Sequence, residues 1–465
     1  MPMVSPDRFE LVPQKLVYGG AALGHHAGRP VLVPYALPGE RVEVESVRDA
    51  KGMVYARLLQ VLDPGPARVA APCPYFGRCG GCHYQHLDAT RQLEIKREIL
   101  RETLRRVGHI DCQGEIGVHA SEPWHYRNQV QLKIRPGPAE STDAENAGSG
   151  VGFFAADSHH LVAIDACPIS SPRLNAVIAE LSRPEWAARL AGWSEVELRT
   201  DDRDERVVLT FLGAAADLEQ QALERLAGEC MSLLPGAAGV AFEAPGAREA
   251  PSRGQSRGQA RGQNRASRRP PSAWRVFGNA TLTYRVGEFD YRISPGSFFQ
   301  SSRFLLPDLV AAVTAGVRAP SGLGLDLYAG VGLFTLPLAR AFGQVAAVEA
   351  SALAAADLAA NLRSHGAANA RATHSTAAGF LRRYAQSAPD LVVLDPPRAG
   401  AEGETLRRLA ALGPAEIRYV SCHPPTLARD LAALVQHAYA IEQVELFDLF
   451  PQTFHIETVV TLRKA

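Results

Sequence analysis

The chain has no excess of either charge: 49 Lys and Arg stand against 49 Asp and Glu in 465 residues, a formal net charge of zero. It is not globally basic, and any affinity for nucleic acid must come from local patches. No uninterrupted apolar run reaches the roughly 18 residues that a membrane-spanning helix needs. The opening MPMVSPDRFELVP lacks the charged, apolar and small-residue zones of a secretory signal. These absences predict a cytoplasmic protein with no membrane partner. Cysteine is scarce, seven in 465, too sparse for a disulfide scaffold, so any clustering points to metal binding or catalysis. Apolar content is ample at 46%, and the length predicts about three domains.

Residues 8 to 62 alternate in short runs broken by Gly19-Gly20 and Pro38-Gly39, which predicts four or five strands closing a small barrel. The string ALPGERVEVESV after a glycine-rich turn resembles the TRAM domain, and that resemblance implies RNA binding. Residues 90 to 107 carry Leu93, Ile95, Lys96, Ile99, Leu100, Leu104 and Val107 at helical spacing. An α+β pattern follows, in which Arg127, Asn128, Gln129 and Lys133 read as polar residues of an exposed edge. Between Pro251 and Pro271 six arginines recur with glycine and no acidic residue. Such a stretch cannot bury a core and predicts a disordered insertion, either attracted to phosphate or a tolerated loop expansion.

APCPYFGRCGGCHYQH holds Cys73, Cys79 and Cys82. Three thiols within ten positions, two of them spaced C-x-x-C around glycines, can wrap a soft metal or cluster. Cys167, followed by proline, is the chosen fourth ligand over Cys112 and Cys230. An iron-sulfur cluster and structural zinc both fit four thiolates, so spacing leaves the two open.

From about residue 286, apolar runs alternate with amphipathic helices, which predicts a parallel, doubly wound sheet closed by the hairpin VELFDLF and HIETVVTLR. Gly330 and Gly332 in DLYAGVGLF let the backbone approach a ligand, and Glu349 ends the next strand where ribose hydroxyls can meet it. Thr335 replaces the third glycine of G-x-G-x-x-G, which disfavours a nicotinamide cofactor. In RYVSCHPPTLARDL, a strand through Ile417, Tyr419 and Val420 is followed by a helix over Thr426 to Leu434. Cys422 thus sits at the carboxyl end of a sheet strand, where ligands bind in such folds. Alone it reads as a packed thiol; beside these motifs it reads as a nucleophile.

Taken together, SFFQ, DLYAGVGLF, VEAS, DPPRAG, YVSCHPPTLARD and FPQTFHIETVVTL resemble the RNA uridine-5-methyltransferase family. With the barrel and the cysteines, they resemble its 23S ribosomal RNA branch. The resemblance implies S-adenosylmethionine as methyl donor and a four-iron four-sulfur cluster on Cys73, Cys79, Cys82 and Cys167. It implies Cys422 as nucleophile and Glu457 as general base. Gln300, Tyr328, Glu349 and Asp395 match cofactor contacts, and Phe298 and Arg398 belong with the substrate. It further implies a multidomain chain. Residues 1–64 form the TRAM-like barrel; 65–92 with 120–285 form an α+β domain carrying the insertion 248–273; 93–119 with 286–465 form the Rossmann-like methyltransferase domain. Many relatives carry Asn where Leu333 stands, and Asn-Pro-Ala where His423-Pro424-Pro425 stands. RNA is the expected partner and a monomer the expected state. Transfer RNA methylation and a non-catalytic assembly factor are the competing readings.

Those residue types suit one chemistry. Carbon 5 of uracil is a poor nucleophile until a thiolate adds at carbon 6. A base must then take the carbon 5 proton, and the uridine must leave its stack to be reached.

Overall fold

Six short strands open the chain: β1 (Arg8–Leu11), β2 (Lys15–Leu16), β3 (Ala21–His26), β4 (Arg29–Pro34), β5 (Arg41–Ala50) and β6 (Met53–Asp63). They form one sheet in the order β1-β5-β6-β4-β3-β2, six strands where the turn signals predict four or five. In this computed structural model the described residues are 7–112, 114–135, 150–156, 158–213, 219–243, 274–316 and 319–465. The insertion expected at 248–273 lies outside them. Alternate residues of β3 to β5 point inward, among them Val31, Val33, Val42 and Val44, as a half-buried strand requires. The buried carboxylate of Glu40 pins this sheet to the loop after β6. It accepts from the Arg68 guanidinium at 2.7 Å and from the N–H groups of Leu37 and Gly65, and this hydrogen bonding outweighs burial and holds its pKa down.

Helix α1 (Ala89–Gly108) starts where the Asp88 carboxylate accepts from the N–H groups of Thr90 and Arg91. Its buried face runs through Gln92, Ile95, Lys96, Ile99, Leu100 and Leu104. Val107 is exposed instead, and polar Gln92 and Lys96 are buried because a distant loop supplies their partners. Strand β7 (Gly117–His119) comes next.

The middle of the chain builds a seven-stranded sheet from β8 (Gln129–Arg135), β9 (Gly150–Phe154), β10 (Leu161–Ala163), β11 (Glu195–Thr200), β12 (Val207–Leu212), β13 (Ala237–Glu243) and β14 (Trp274–Gly278). Helices α2 (Pro172–Leu181), α3 (Pro184–Arg189) and α4 (Gln220–Leu233) contribute buried Val177, Trp186 and Leu226 to its core. Strand β8 lies between β9 and β11, so its polar residues are not an exposed edge. Lys133 pairs with Glu195 at 2.6 Å, and Asn128 is buried.

A hairpin, β15 (Leu282–Val286) and β16 (Phe289–Ile293), comes next. Then come α5 (Leu306–Thr314), β17 (Ala319–Leu327), α6 (Thr335–Ala341), β18 (Phe342–Glu349), α7 (Ala352–Ser364), β19 (Ala370–His374), α8 (Ala377–Arg383), β20 (Leu391–Leu394), α9 (Gly403–Leu412), β21 (Glu416–Ser421), α10 (Pro424–Gln436), β22 (Tyr439–Phe447) and β23 (Glu457–Lys464). The sheet order is β19-β18-β17-β20-β21-β23-β22-β7, parallel from β19 to β21, with β23 antiparallel between β21 and β22. Successive strand residues face opposite cores: Val392, Leu394, Ile417 and Tyr419 on one side, Leu391, Val393 and Val420 on the other.

The first of those cores continues through Ile95, Ile99 and Leu104 of α1 into Val33 and Val42 of the N-terminal sheet. Each fully buried leucine there, such as Leu100 and Leu104, contributes roughly 1.5–3 kcal/mol. The helices meet so closely that a Cβ on Gly108 would lie 2.7 Å from the Ala428 carbonyl oxygen of α10. The N-terminal sheet is thereby held against the parallel sheet.

Candidate active site

Strand β23 pairs Thr458 with Ser421 of β21. One further step of that antiparallel register sets Glu457 beside Cys422, so an acid and a thiol distant in sequence end on the same sheet edge. Glu457 is buried and Cys422 half-buried. Burial pushes the thiol up to about 12, Glu457 adds to the shift, and Arg398 opposes it. Burial also holds the Glu457 carboxyl well above the usual range, with Asp395 adding and Arg398 opposing. Asp395, just past β20, is raised to about 7 by burial and by the carboxylates of Asp326 and Glu349.

The loop bearing Asp395 and Arg398 is pinned to α10. Ala401 donates its N–H to Asp430 at 2.8 Å, Tyr419 donates its hydroxyl to the same carboxylate at 2.6 Å, and Thr426 donates to the Arg398 carbonyl at 3.1 Å. Gly400, at φ +79, fits because a Cβ there would lie 2.4 Å from Asp430 Oδ2. His423 caps α10: its Nδ1 accepts from the Thr426 N–H at 3.3 Å.

After β17, Glu349 accepts from the N–H groups of Gly330 at 2.9 Å and Ser351 at 2.6 Å, which fixes the glycine loop against the end of β18. Tyr328, at φ +66, occupies a left-handed conformation that non-glycine residues adopt under constraint. Its hydroxyl lies near Thr405, Glu402 and Asp430. Thr335, in place of the third glycine, donates to buried Asp326 at 2.5 Å. Burial raises that carboxyl to about 7.

The SPGSFFQ turn is organised by Asp357 of α7. Its carboxylate accepts from the Ser294 N–H at 2.8 Å and from the Ser294 and Ser297 hydroxyls at 2.7 Å each. The turn thereby divides its two aromatics: Phe299 is buried between Tyr284 and Tyr291, whereas Phe298 is 47% exposed. Gln300 is buried, and its carbonyl accepts from the Asn128 amide at 3.3 Å.

Cys73, Cys79, Cys82 and Cys167 line one cavity of ≈ 70 Å³, with Arg127 on the same wall. Cys79 reaches β9 because Gly80 donates its N–H to the Phe154 carbonyl at 3.0 Å, and a Cβ on Gly80 would crowd that strand's end. Cys167 is held by Asn175, whose side-chain oxygen accepts its N–H at 2.7 Å. Cys230 lies instead on the buried face of α4. Burial raises Cys79 to about 11 and Cys82 to about 12. Among the described residues, no three His, Cys, Asp or Glu side chains converge tightly enough to hold a metal ion. The donor set itself, four thiols and no lining carboxylate, suits a thiophilic group.

Two features escape the sequence motifs. The segment Asp448–Ile456 leading to Glu457 is tied down by residues from far upstream: Lys96 on Asp448, Gln92 on Gln452, and the Tyr126 hydroxyl on the Pro451 carbonyl at 2.9 Å. Tyr18 of the N-terminal sheet stands edge-on to His423 at 5.2 Å and to Phe454 at 5.3 Å. The only local signal for it is an aromatic before Gly19-Gly20.

A doubly wound sheet with a glycine loop and a strand-end glutamate is a nucleotide-type ligand fold, and comparison with known proteins makes it an S-adenosylmethionine-dependent methyltransferase. The family described as tRNA (Uracil-5-)-methyltransferase matches residues 277–465. Over 456 residues, the chain is 32% identical to an uncharacterized RNA methyltransferase of Aquifex aeolicus, covering 97% of this chain and 98% of that one. It is 33% identical over 471 residues to the 23S rRNA (uracil(1939)-C(5))-methyltransferase of Alkalilimnicola ehrlichii, covering 98% and 97%. Its fold matches the crystal structure of the Pyrococcus abyssi tRNA (uracil-54, C5)-methyltransferase with TM-score 0.71 at 24% identity, over 98% of this chain and 100% of that one. The chain belongs to the RNA uracil-5-methyltransferase family. It methylates carbon 5 of a uridine in RNA from S-adenosylmethionine. Among the described residues, no helix is long and apolar enough to cross a membrane.

Proposed function

We propose that Cys422 is the nucleophile and Glu457 the general base of this reaction, and that the substrate is 23S ribosomal RNA. The observation that carries the catalytic reading is the β21–β23 register, which sets these two side chains on one edge. Cys422 adds to carbon 6 of the flipped uracil, which makes carbon 5 nucleophilic. S-adenosylmethionine supplies an electrophilic methyl group on its sulfonium. Glu457 then takes the carbon 5 proton so that the thiolate is expelled. Arg398 favours the thiolate electrostatically.

Gln300, Tyr328, Glu349 and Asp395 hold the methyl donor, the acidic groups facing its ribose and sulfonium. Phe298, on its exposed turn, replaces the stacking that the flipped base loses. The four cavity cysteines hold a four-iron four-sulfur cluster, with zinc as the alternative, and deprotonate when the metal binds. The cluster would supply a fixed tether for the segment preceding α1. Residues 1–64 act as a TRAM-like RNA-binding barrel; 65–92 with 120–285 form the middle domain, and 93–119 with the rest form the catalytic one. The protein acts as a monomer in the cytoplasm. The near full-length likeness to the Alkalilimnicola enzyme supports 23S over transfer RNA.

RNA carrying 5-fluorouridine tests the chemistry: a covalent adduct is expected with wild type and none with Cys422→Ala. No adduct with wild type would overturn the assignment. Mapping 5-methyluridine after gene deletion tests the substrate. Loss at one 23S position is expected; loss in transfer RNA alone would reassign it.

A further inference from the structure

The reacting pair and the glycine loop come from the C-terminal part of the chain, yet the N-terminal sheet reaches the same place. The turn Val17–Ala21 closes with Val17 donating its N–H to the Ala21 carbonyl at 2.9 Å, and Gly19 and Gly20 take φ of +107 and +92. A Cβ on Gly20 would lie 3.0 Å from the His83 ring, so the turn sits tightly on the cysteine-bearing segment. Tyr18 lies at the head of this turn, half-buried. Its ring meets His423, the neighbour of Cys422, and Phe454, three residues before Glu457. It therefore touches both segments that carry the reacting pair.

We propose that Tyr18 lines the pocket that receives the uracil and donates its phenolic hydrogen to an oxygen of that base. This rests on the Cys422 and Glu457 reading above. The phenol sits within electrostatic reach of Arg398, Cys422 and Glu457, and among the described residues its hydroxyl has no hydrogen-bond partner. Tyr18 is half-buried, so part of its side chain stays open to solvent. Burial raises its pKa, which keeps the hydroxyl a neutral donor at any working pH. Flipped bases are read by hydrogen bonds along their polar edge, and uracil offers two carbonyl oxygens there. An N-terminal donor also makes docking of the first sheet a condition for base recognition.

The test uses the full-length enzyme and a 23S fragment carrying the mapped uridine, in single-turnover methyl transfer. Tyr18→Phe keeps the ring and its two aromatic contacts while removing the donor. A loss of about tenfold in rate at subsaturating RNA is expected. Repeating the measurement with 2-thiouridine and 4-thiouridine at the target gives a chemical double-mutant cycle. Sulfur accepts hydrogen bonds weakly, so the Tyr18→Phe penalty is expected to vanish for one of the two analogues. Equal penalties on all three bases, or Tyr18→Phe within about twofold of wild type on uridine, would overturn the proposal. A wild-type enzyme that forms no Cys422 adduct with 5-fluorouridine RNA would instead overturn the catalytic reading on which it rests.

Discussion

The ammonium of Lys96 and the carboxylate of Asp448 meet at 2.6 Å, 352 residues apart in sequence and both buried. Lys96 also donates to the Phe450 carbonyl at 3.0 Å. Removing one partner leaves the other charge buried, so Lys96→Met should destabilise by about 3–5 kcal/mol, whereas Lys96→Met with Asp448→Leu should recover most of it. Thermal unfolding of the two variants checks this. A double variant as unstable as the single would show that the pair acts through something other than its charge.

Cys422 reactivity should follow its neighbours. Glu457 raises its pKa and Arg398 lowers it, so at a fixed mildly alkaline pH Glu457→Gln should speed alkylation by iodoacetamide and Arg398→Gln should slow it. Each change should be several-fold, because the thiolate is the reacting form. Mass spectrometry of the Cys422 peptide separates it from the other thiols.

The two adjacent phenylalanines of the 294–300 turn should behave oppositely. Phe299 is buried, and Phe299→Ala should cost about 3–5 kcal/mol of stability. Phe298 is exposed, so Phe298→Ala should melt like wild type yet trap much less 5-fluorouridine RNA. Equal trapping by Phe298→Ala would remove the stacking role.

Acid stability should depend on His86. It is buried against Phe76 with neither ring nitrogen hydrogen-bonded, and burial lowers its pKa from 6.5 to about 4. The unfolded chain therefore takes up the proton first, and stability falls as pH drops from 6.5 towards 4. The total loss is roughly 3 kcal/mol. His86→Phe should flatten that part of the profile, measured as melting temperature between about pH 7.5 and about pH 4.5.

Much of this molecule is written locally. Alternating apolar runs and helical stripes mark the parallel sheet and its closing hairpin, because side-chain period follows backbone geometry within a few residues. The glycine loop, the strand-end Glu349 and the Cys422 strand-to-helix junction are likewise short-range patterns, and together with SFFQ, DPPRAG and FPQTFHIETVVTL they carry the likeness to the family. Tertiary structure alone decides who meets whom. β23 inserts between β21 and β22 and so sets Glu457 beside Cys422. Lys96 is buried because Asp448 arrives from the far end of the chain. Strand β8 is interior because β9 and β11 flank it, although its polar residues look like an edge. Tyr18 reaches His423 and Phe454 because the N-terminal sheet shares a core with α1. Those pairings are set by packing and register between distant segments, which local periodicity does not encode.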